Sequence, residues 1–298
     1  MDDKRLLFIV NPCAGLKKVE GRLSEILQIF CKSGYLPTVL MTEYAGHATE
    51  LCAKYGADYD RIVCAGGDGT LNETISGMLK ADIDKPVGYL PCGTTNDLGN
   101  TLGLSTDLIE AARTAVGGKE FSVDIGEFNG RTFVYTASFG AFTRISYDTP
   151  QAFKNVLGHL AYVLEGIGGV FNQLKPTHAR ISTDAGDFSG DYLLGSVSNT
   201  TSLAGIITID KEKVKLDDGL FELLLVDMPK NALDFSRLVL NVTQKKFGEM
   251  LHLHAVKELH IETDENMDWT LDGECAKGET SFDIRNLPRK VRILVPEE

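Results

Sequence analysis

The run Gly66-Gly67-Asp68-Gly69-Thr70, continued by Leu71-Asn72-Glu73, carries the residue types of a phosphate site. It follows an apolar run at 61–65 and precedes helical spacing that starts near Asn72 and reaches about Ala81. Glycines permit positive φ and close approach of backbone to a ligand, and the N–H groups of a loop and helix start point at an anion. One aspartate in such a loop suits a magnesium ion that travels with phosphate. A plainer reading stands beside this one. Thr70 and Glu73 have the T-x-x-E spacing of a capping box, and Asp68 suits a turn. The order strand, loop, helix favours phosphate.

Other stretches bear comparison. Pro91-Cys92-Gly93-Thr94-Thr95-Asn96-Asp97 also follows a strand-like run. Gly93 and Thr94 offer an N–H and a hydroxyl to phosphate, and Asp97 could hold a metal or its water. The alternative is a polar loop that caps a short helix. Asn11-Pro12-Cys13-Ala14-Gly15 closes the first apolar run, where a simple turn is the competing reading. Late in the chain, Asp272-Gly273-Glu274 is both a hairpin-turn signal and a place for a carboxylate base at Glu274. Lys215-Leu216-Asp217-Asp218-Gly219-Leu220 is an acidic glycine loop, suited to a hard cation through Asp218 and carbonyls or to a turn. His252 and His254 have strand spacing without an evident acidic or sulfur partner, so they read as surface or packing residues.

The elements that must position these residues alternate. Apolar runs at 6–10, 36–41, 61–65 and 87–90 read as strands, and helical spacing falls at 19–32, 47–55 and 72–81. That alternation predicts a mostly parallel sheet covered by helices, with the loops above at one edge, where ligands bind in such sheets. From about residue 120 the pattern changes. Asn129-Gly130 marks a hairpin between runs at 121–128 and 132–139. Short strands follow at 179–183, 192–198, 221–226, 259–263, 267–271, 281–284 and 291–295, with helical patterns near 153–173 and 231–247. We expect an α/β plus all-β chain, in which a Rossmann-like domain at 1–128, rejoined by 286–298, precedes an antiparallel β-sandwich at 129–285. The cleft between them is the expected active site. The apolar stripe Val156, Leu157, Leu160, Leu164, Ile167, Phe171 and Leu174 reads as a packing face, or else as an acyl-chain surface.

Composition narrows the class. The 298 residues are 43% hydrophobic and 24% charged, which suits a folded globular protein, and the formal net charge is -12. That charge disfavours broad binding to nucleic acid or anionic membrane. The scattered cysteines Cys13, Cys31, Cys52, Cys64, Cys92 and Cys275 form no C-x-x-C pair and read as reduced thiols in the cytoplasm. No run reaches transmembrane length, and the N-terminus lacks a signal-peptide core.

Taken in order, Asn11-Pro12-x-Ala14-Gly15, Gly66 to Thr70 with Asn72-Glu73, Pro91-x-Gly93-Thr94-x-Asn96-Asp97, Asp124-x-Gly126 and Asp272-Gly273-Glu274 resemble the diacylglycerol kinase catalytic-domain family. The set spans nearly the whole chain. The resemblance implies an ATP- and magnesium-dependent lipid kinase. ATP would contact Asn11, Pro12, Cys13, Ala14, Gly15, Thr42, Gly66, Gly67, Asp68, Gly69, Thr70, Leu71, Asn72, Glu73, Gly93 and Thr94. Asp68, Asp97 and Asp124 would surround the catalytic magnesium, partly through water, with Glu274 as general base. Lys215 and Leu220, by carbonyl, and Asp218, by side chain, would hold a structural magnesium. Ala14 stands where many relatives carry serine. The acceptor would be a lipid alcohol at the membrane surface, with diacylglycerol first and undecaprenol, phosphatidylglycerol or a sphingoid base as alternatives. Membrane contact would be transient, and a homodimer is compatible with the resemblance alone. An NAD kinase-like enzyme and a non-catalytic nucleotide- or lipid-binding regulator are the competing functions.

Overall fold

The computed structural model describes residues 4–14, 19–94, 96–140, 175–203, 207–209 and 214–297. The chain divides into two compact units, Met1–Ile125 with Pro288–Glu298, and Gly126–Leu287. It passes between them within strands. The expected helix at 153–173, its apolar stripe and Gly15 lie outside the described residues.

The first unit runs β1 (Lys4–Val10), α1 (Leu23–Lys32), β2 (Tyr35–Met41), α2 (His47–Tyr55), β3 (Arg61–Gly66), α3 (Asp68–Lys80), β4 (Val87–Pro91), α4 (Asp97–Thr101), α5 (Leu108–Gly117) and β5 (Lys119–Phe128). Strands β2, β1, β3 and β4 lie side by side in that order, all parallel. Leu6, Phe8 and Val10 pack with Ile26 and Phe30 of α1 and with Leu108, Ala111 and Ala112 of α5. Leu7 and Ile9, on the other face of the same strand, are equally buried. A continuous apolar run is what a strand covered on both faces requires. Helix α1 starts later than the periodicity suggests, because Glu20–Arg22 forms a separate 3₁₀ turn.

The second unit contains β6 (Arg131–Phe133), β7 (Thr136–Gly140), β8 (Thr177–Thr183), β9 (Gly186–Ser198), β10 (Ser202–Leu203), β11 (Ile207–Thr208), β12 (Phe221–Asp227), α6 (Ala232–Thr243), β13 (Leu251–Val256) and β14 (Glu258–Leu271). The last strand, β15 (Glu274–Val295), starts here and ends in the first unit, where Ile293 pairs parallel with Val87. Antiparallel pairing runs β13–β12–β9–β7–β14–β15, while β8 also bridges β9 and β14. The expected strands at 259–263 and 267–271 are one strand, β14, whose register shifts after Glu262. Those at 281–284 and 291–295 are likewise one strand, β15. In β14 the interrupted alternation marks irregular pairing rather than a strand end. Trp269 is fully buried at the centre, its ring 4.9 Å from those of Phe128 and Phe139. Asn129 and Gly130 take positive φ between β5 and β6, as a two-residue hairpin requires.

Candidate active site

Order decides where a ligand can sit on the parallel sheet. The chain leaves β1 for β2 on one side, then returns to β3 on the other. That reversal opens a crevice beyond the carboxyl ends of β1 and β3. Asn11 follows β1, Thr42 follows β2, Gly67 follows β3, and Cys92 and Gly93 follow β4. The sequence-predicted nucleotide loops therefore share one sheet edge.

The loop after β3 is shorter than expected. Helix α3 begins at Asp68, not near Asn72, with Gly67 in extended conformation as its N-cap. Asp68, Gly69 and Thr70 are thus its first turn, where an acidic side chain suits the helix dipole. Gly66 must lack a side chain, since a Cβ there would fall 2.2 Å from Thr70 Oγ1. The same hydroxyl accepts from Asn11 Nδ2 at 3.1 Å, and Asn11 Oδ1 accepts the Cys13 N–H at 3.0 Å. Thr70 and Asn11 therefore lock two phosphate-loop candidates together. Leu71 and Asn72 are buried, with Asn72 Oδ1 accepting from Ser76 at 3.2 Å.

Glu73 does not form the capping box with Thr70. Its carboxylate accepts the N–H groups of Gly46 and Ala48, at 2.8 and 3.0 Å, and so caps α2 rather than its own helix. The Gly93 N–H donates to Asn96 Oδ1 at 2.9 Å inside its own loop. What Gly93 contributes is closeness: a Cβ there would lie 2.6 Å from Gly67 Cα. Thr94 is exposed at the tip of that loop.

Asp68 is the centre of the arrangement. It is 8% exposed. Its Oδ2 accepts the Asp97 N–H at 3.1 Å, while its Oδ1 is buried and, among the described residues, accepts no hydrogen bond. Burial raises the Asp68 pKa, against the backbone N–H groups of Asp97, Leu98 and Asn96, which lower it. A buried acceptor without a donor is the position a hard cation fits. Asp97 is buried beside it in the first turn of α4. Asp124 is fully buried on β5, its Oδ1 accepting the Arg289 N–H at 2.6 Å. Among the described residues no group of three His, Cys, Asp or Glu side chains forms a metal cluster, so direct ligation by all three aspartates is not seen.

Sequence reasoning passed over Tyr89 and the role of Asn96. The Tyr89 hydroxyl lies 3.3 Å from the Gly66 carbonyl and 3.4 Å from Asn96 Oδ1, beneath both loops. Burial, then the charge of Asp68, raises its pKa well above the ordinary value. Asn96 holds its loop from a left-handed conformation, φ 50°. A lone tyrosine in an otherwise apolar strand was the available signal, since a buried hydroxyl needs a partner.

In the second unit, Asp272 and Gly273 form the positive-φ turn between β14 and β15. The buried Asp272 carboxylate accepts the N–H groups of Val134, Tyr135 and Thr136 at 2.6, 3.0 and 2.9 Å. Glu274, just beyond the turn, is exposed. In the Lys215–Leu220 loop, Asp218 Oδ1 accepts the Leu220 N–H at 3.1 Å. His252 has the acidic partner that its local sequence did not reveal, Asp227 at 2.9 Å, brought alongside by β12–β13 pairing.

The profile of the diacylglycerol kinase catalytic domain matches residues 5–128. The diacylglycerol kinase of Bacillus subtilis is 33% identical over 99% of this chain and 97% of its own length. That of Staphylococcus saprophyticus is 31% identical over 99% and 96%. A crystal structure of a candidate diacylglycerol kinase from Bacillus anthracis superposes with a TM-score of 0.80 at 26% identity, covering 98% of this chain and 95% of that one. On these matches the chain belongs to the diacylglycerol kinase family, a family of lipid kinases.

Proposed function

We propose that this protein transfers the γ-phosphate of ATP to a lipid hydroxyl in a magnesium-dependent reaction, and that the lipid is diacylglycerol, giving phosphatidic acid. The observation that carries the reading is Asp68: one carboxylate oxygen held by backbone, the other buried and unpartnered among the described residues, at the crevice where the strand order reverses. The full-length relatives named diacylglycerol kinase support the choice of acceptor. In this reading the first unit is a Rossmann-like nucleotide domain, and the second is a β-sandwich that carries the lipid. The protein works from the cytoplasm with transient membrane contact, in keeping with its six free cysteines.

The residues divide the work as follows. The loops at Asn11–Ala14, Thr42, Gly66–Gly69 and Gly93–Thr94 cradle the nucleotide, and the close packing of Gly67 on Gly93 shapes the floor. Asp68 would hold the metal, with Asp97 and Asp124 acting through water. Bound there, magnesium would neutralise charge on the phosphate oxygens. Glu274 orients the lipid hydroxyl and takes its proton as the oxygen bonds to the γ-phosphorus and the bond to the bridging oxygen of ADP breaks. Lys215, Asp218 and Leu220 would hold a second, structural magnesium. Asp68→Ala tests the nucleotide half directly. We expect it to keep a cooperative unfolding transition and to lose the magnesium dependence of ATP binding, measured by calorimetry. An unchanged magnesium dependence would remove Asp68 from the site.

A further inference from the structure

Away from the proposed nucleotide site, one buried charge in the second unit goes unused by this mechanism. Glu222 sits on β12, opposite Ser198 of β9 and Ala255 of β13. It is 5% exposed, and its Oε2 is buried without a hydrogen-bond partner among the described residues. The polar residues around that end of β9, Ser198 and Asn199, are fully or almost fully buried. Asn199 Nδ2 donates to the Leu216 carbonyl at 3.3 Å, which ties the Lys215–Leu220 loop to the same place. Ser198 Oγ lies 3.5 Å from the Glu222 carbonyl. A buried carboxylate oxygen with no donor is unfavourable until a positive charge or a donor joins it.

We propose that Glu222 is a further ligand of the cation held by the Lys215–Leu220 loop. Its Oε2 joins the Asp218 carboxylate and the Lys215 and Leu220 carbonyls in an all-oxygen donor set for a hard divalent ion. The inference rests on the reading of that loop as a magnesium site and adds to it a second anionic ligand. Affinity at oxygen sites rises with the number of charged ligands. Glu222 also links the ion to a central strand pairing, so binding should register as stability.

The test is thermal unfolding of the full chain against magnesium chloride, without nucleotide, for the wild type, Glu222→Gln, Asp218→Asn and Asp68→Asn. We expect the wild-type midpoint to rise to saturation. Glu222→Gln should unfold at a higher temperature than the wild type in chelator, since its unpaired charge is gone. It should need about tenfold more magnesium for half its response, because one anionic ligand is missing. Asp218→Asn should lose most of the response, and Asp68→Asn should keep it. Wild-type magnesium sensitivity in Glu222→Gln, with loss in Asp218→Asn, would leave the loop site standing and overturn the role of Glu222. A wild type that ignores magnesium, or a response lost only in Asp68→Asn, would overturn both.

Discussion

Asp272 and Glu274 stand two residues apart and do opposite things. Asp272 takes three backbone N–H groups from residues near 135 and fixes the corner between β6 and β7. Replacing it with alanine leaves buried donors unpaired, so Asp272→Ala should destabilise the fold by about 2–4 kcal/mol, measured by urea unfolding. Glu274 is exposed. Glu274→Gln should therefore leave stability within about 0.5 kcal/mol of the wild type. A comparable loss of stability in both variants would contradict the division of roles. The turn itself was legible, because Asp-Gly between apolar alternations is a hairpin signal. The three donors were not, because they lie more than 130 positions earlier in the chain, beyond any local pattern. Glu73 repeats the lesson. Its spacing from Thr70 suggested a box on its own helix, yet its carboxylate reaches Gly46 and Ala48. Glu73→Ala should cost about 1–2 kcal/mol through the lost cap of α2, and hydrogen exchange should locate the loosening at 46–50.

Among elements, the parallel strands and their carboxyl-end loops were readable from sequence because β1, β3 and β4 are largely apolar runs closed by Asn, Gly or Pro. Boundaries were less so. Helix α3 takes in Asp68, Gly69 and Thr70, which as residue types look like loop, because packing of Thr70 against Gly66 and Asn11 outweighs their weak helix propensity. The long strand β14 reads as two because irregular pairing interrupts its alternation, and β15 reads as two across a stretch where Arg289 takes a positive φ. The order of strands, which makes the crevice, is a property of packing that no single segment encodes. Gly93→Ala tests that crevice at the element scale. Its Cβ would meet Gly67 Cα at 2.6 Å and Asn96 Oδ1 at 2.9 Å, so the loops after β3 and β4 must separate. We expect the KM for ATP to rise about tenfold or more, equivalent to about 1.4 kcal/mol of binding, with the KM for lipid little changed. Equal effects on both substrates would argue for general unfolding instead.

For the whole molecule, chain composition argues against disorder, and among the described residues no helix is long and apolar enough to cross a membrane. The thiols give a global probe of the folded state. Cys13, Cys31 and Cys275 are exposed, whereas Cys52, Cys64 and Cys92 are buried. Burial pushes the Cys52 thiol up to about 12 and raises that of Cys64 further. A thiol-specific reagent at pH 8 should therefore modify three cysteines in the native protein and all six after unfolding. Rapid modification of Cys64 in native protein would contradict the packing of β3. The family was legible because its short motifs keep their order along the chain, although each alone also reads as a turn. The central claim, phosphate transfer to diacylglycerol with Glu274 as base, is tested most directly by one assay. Labelled ATP is supplied with magnesium and diacylglycerol in mixed micelles, with Glu274→Gln in parallel. The account predicts labelled phosphatidic acid from the wild type, lost by at least about a hundredfold in the variant, as expected for removal of a general base. Undiminished transfer in Glu274→Gln, or label on another lipid alcohol and none on diacylglycerol, would contradict it.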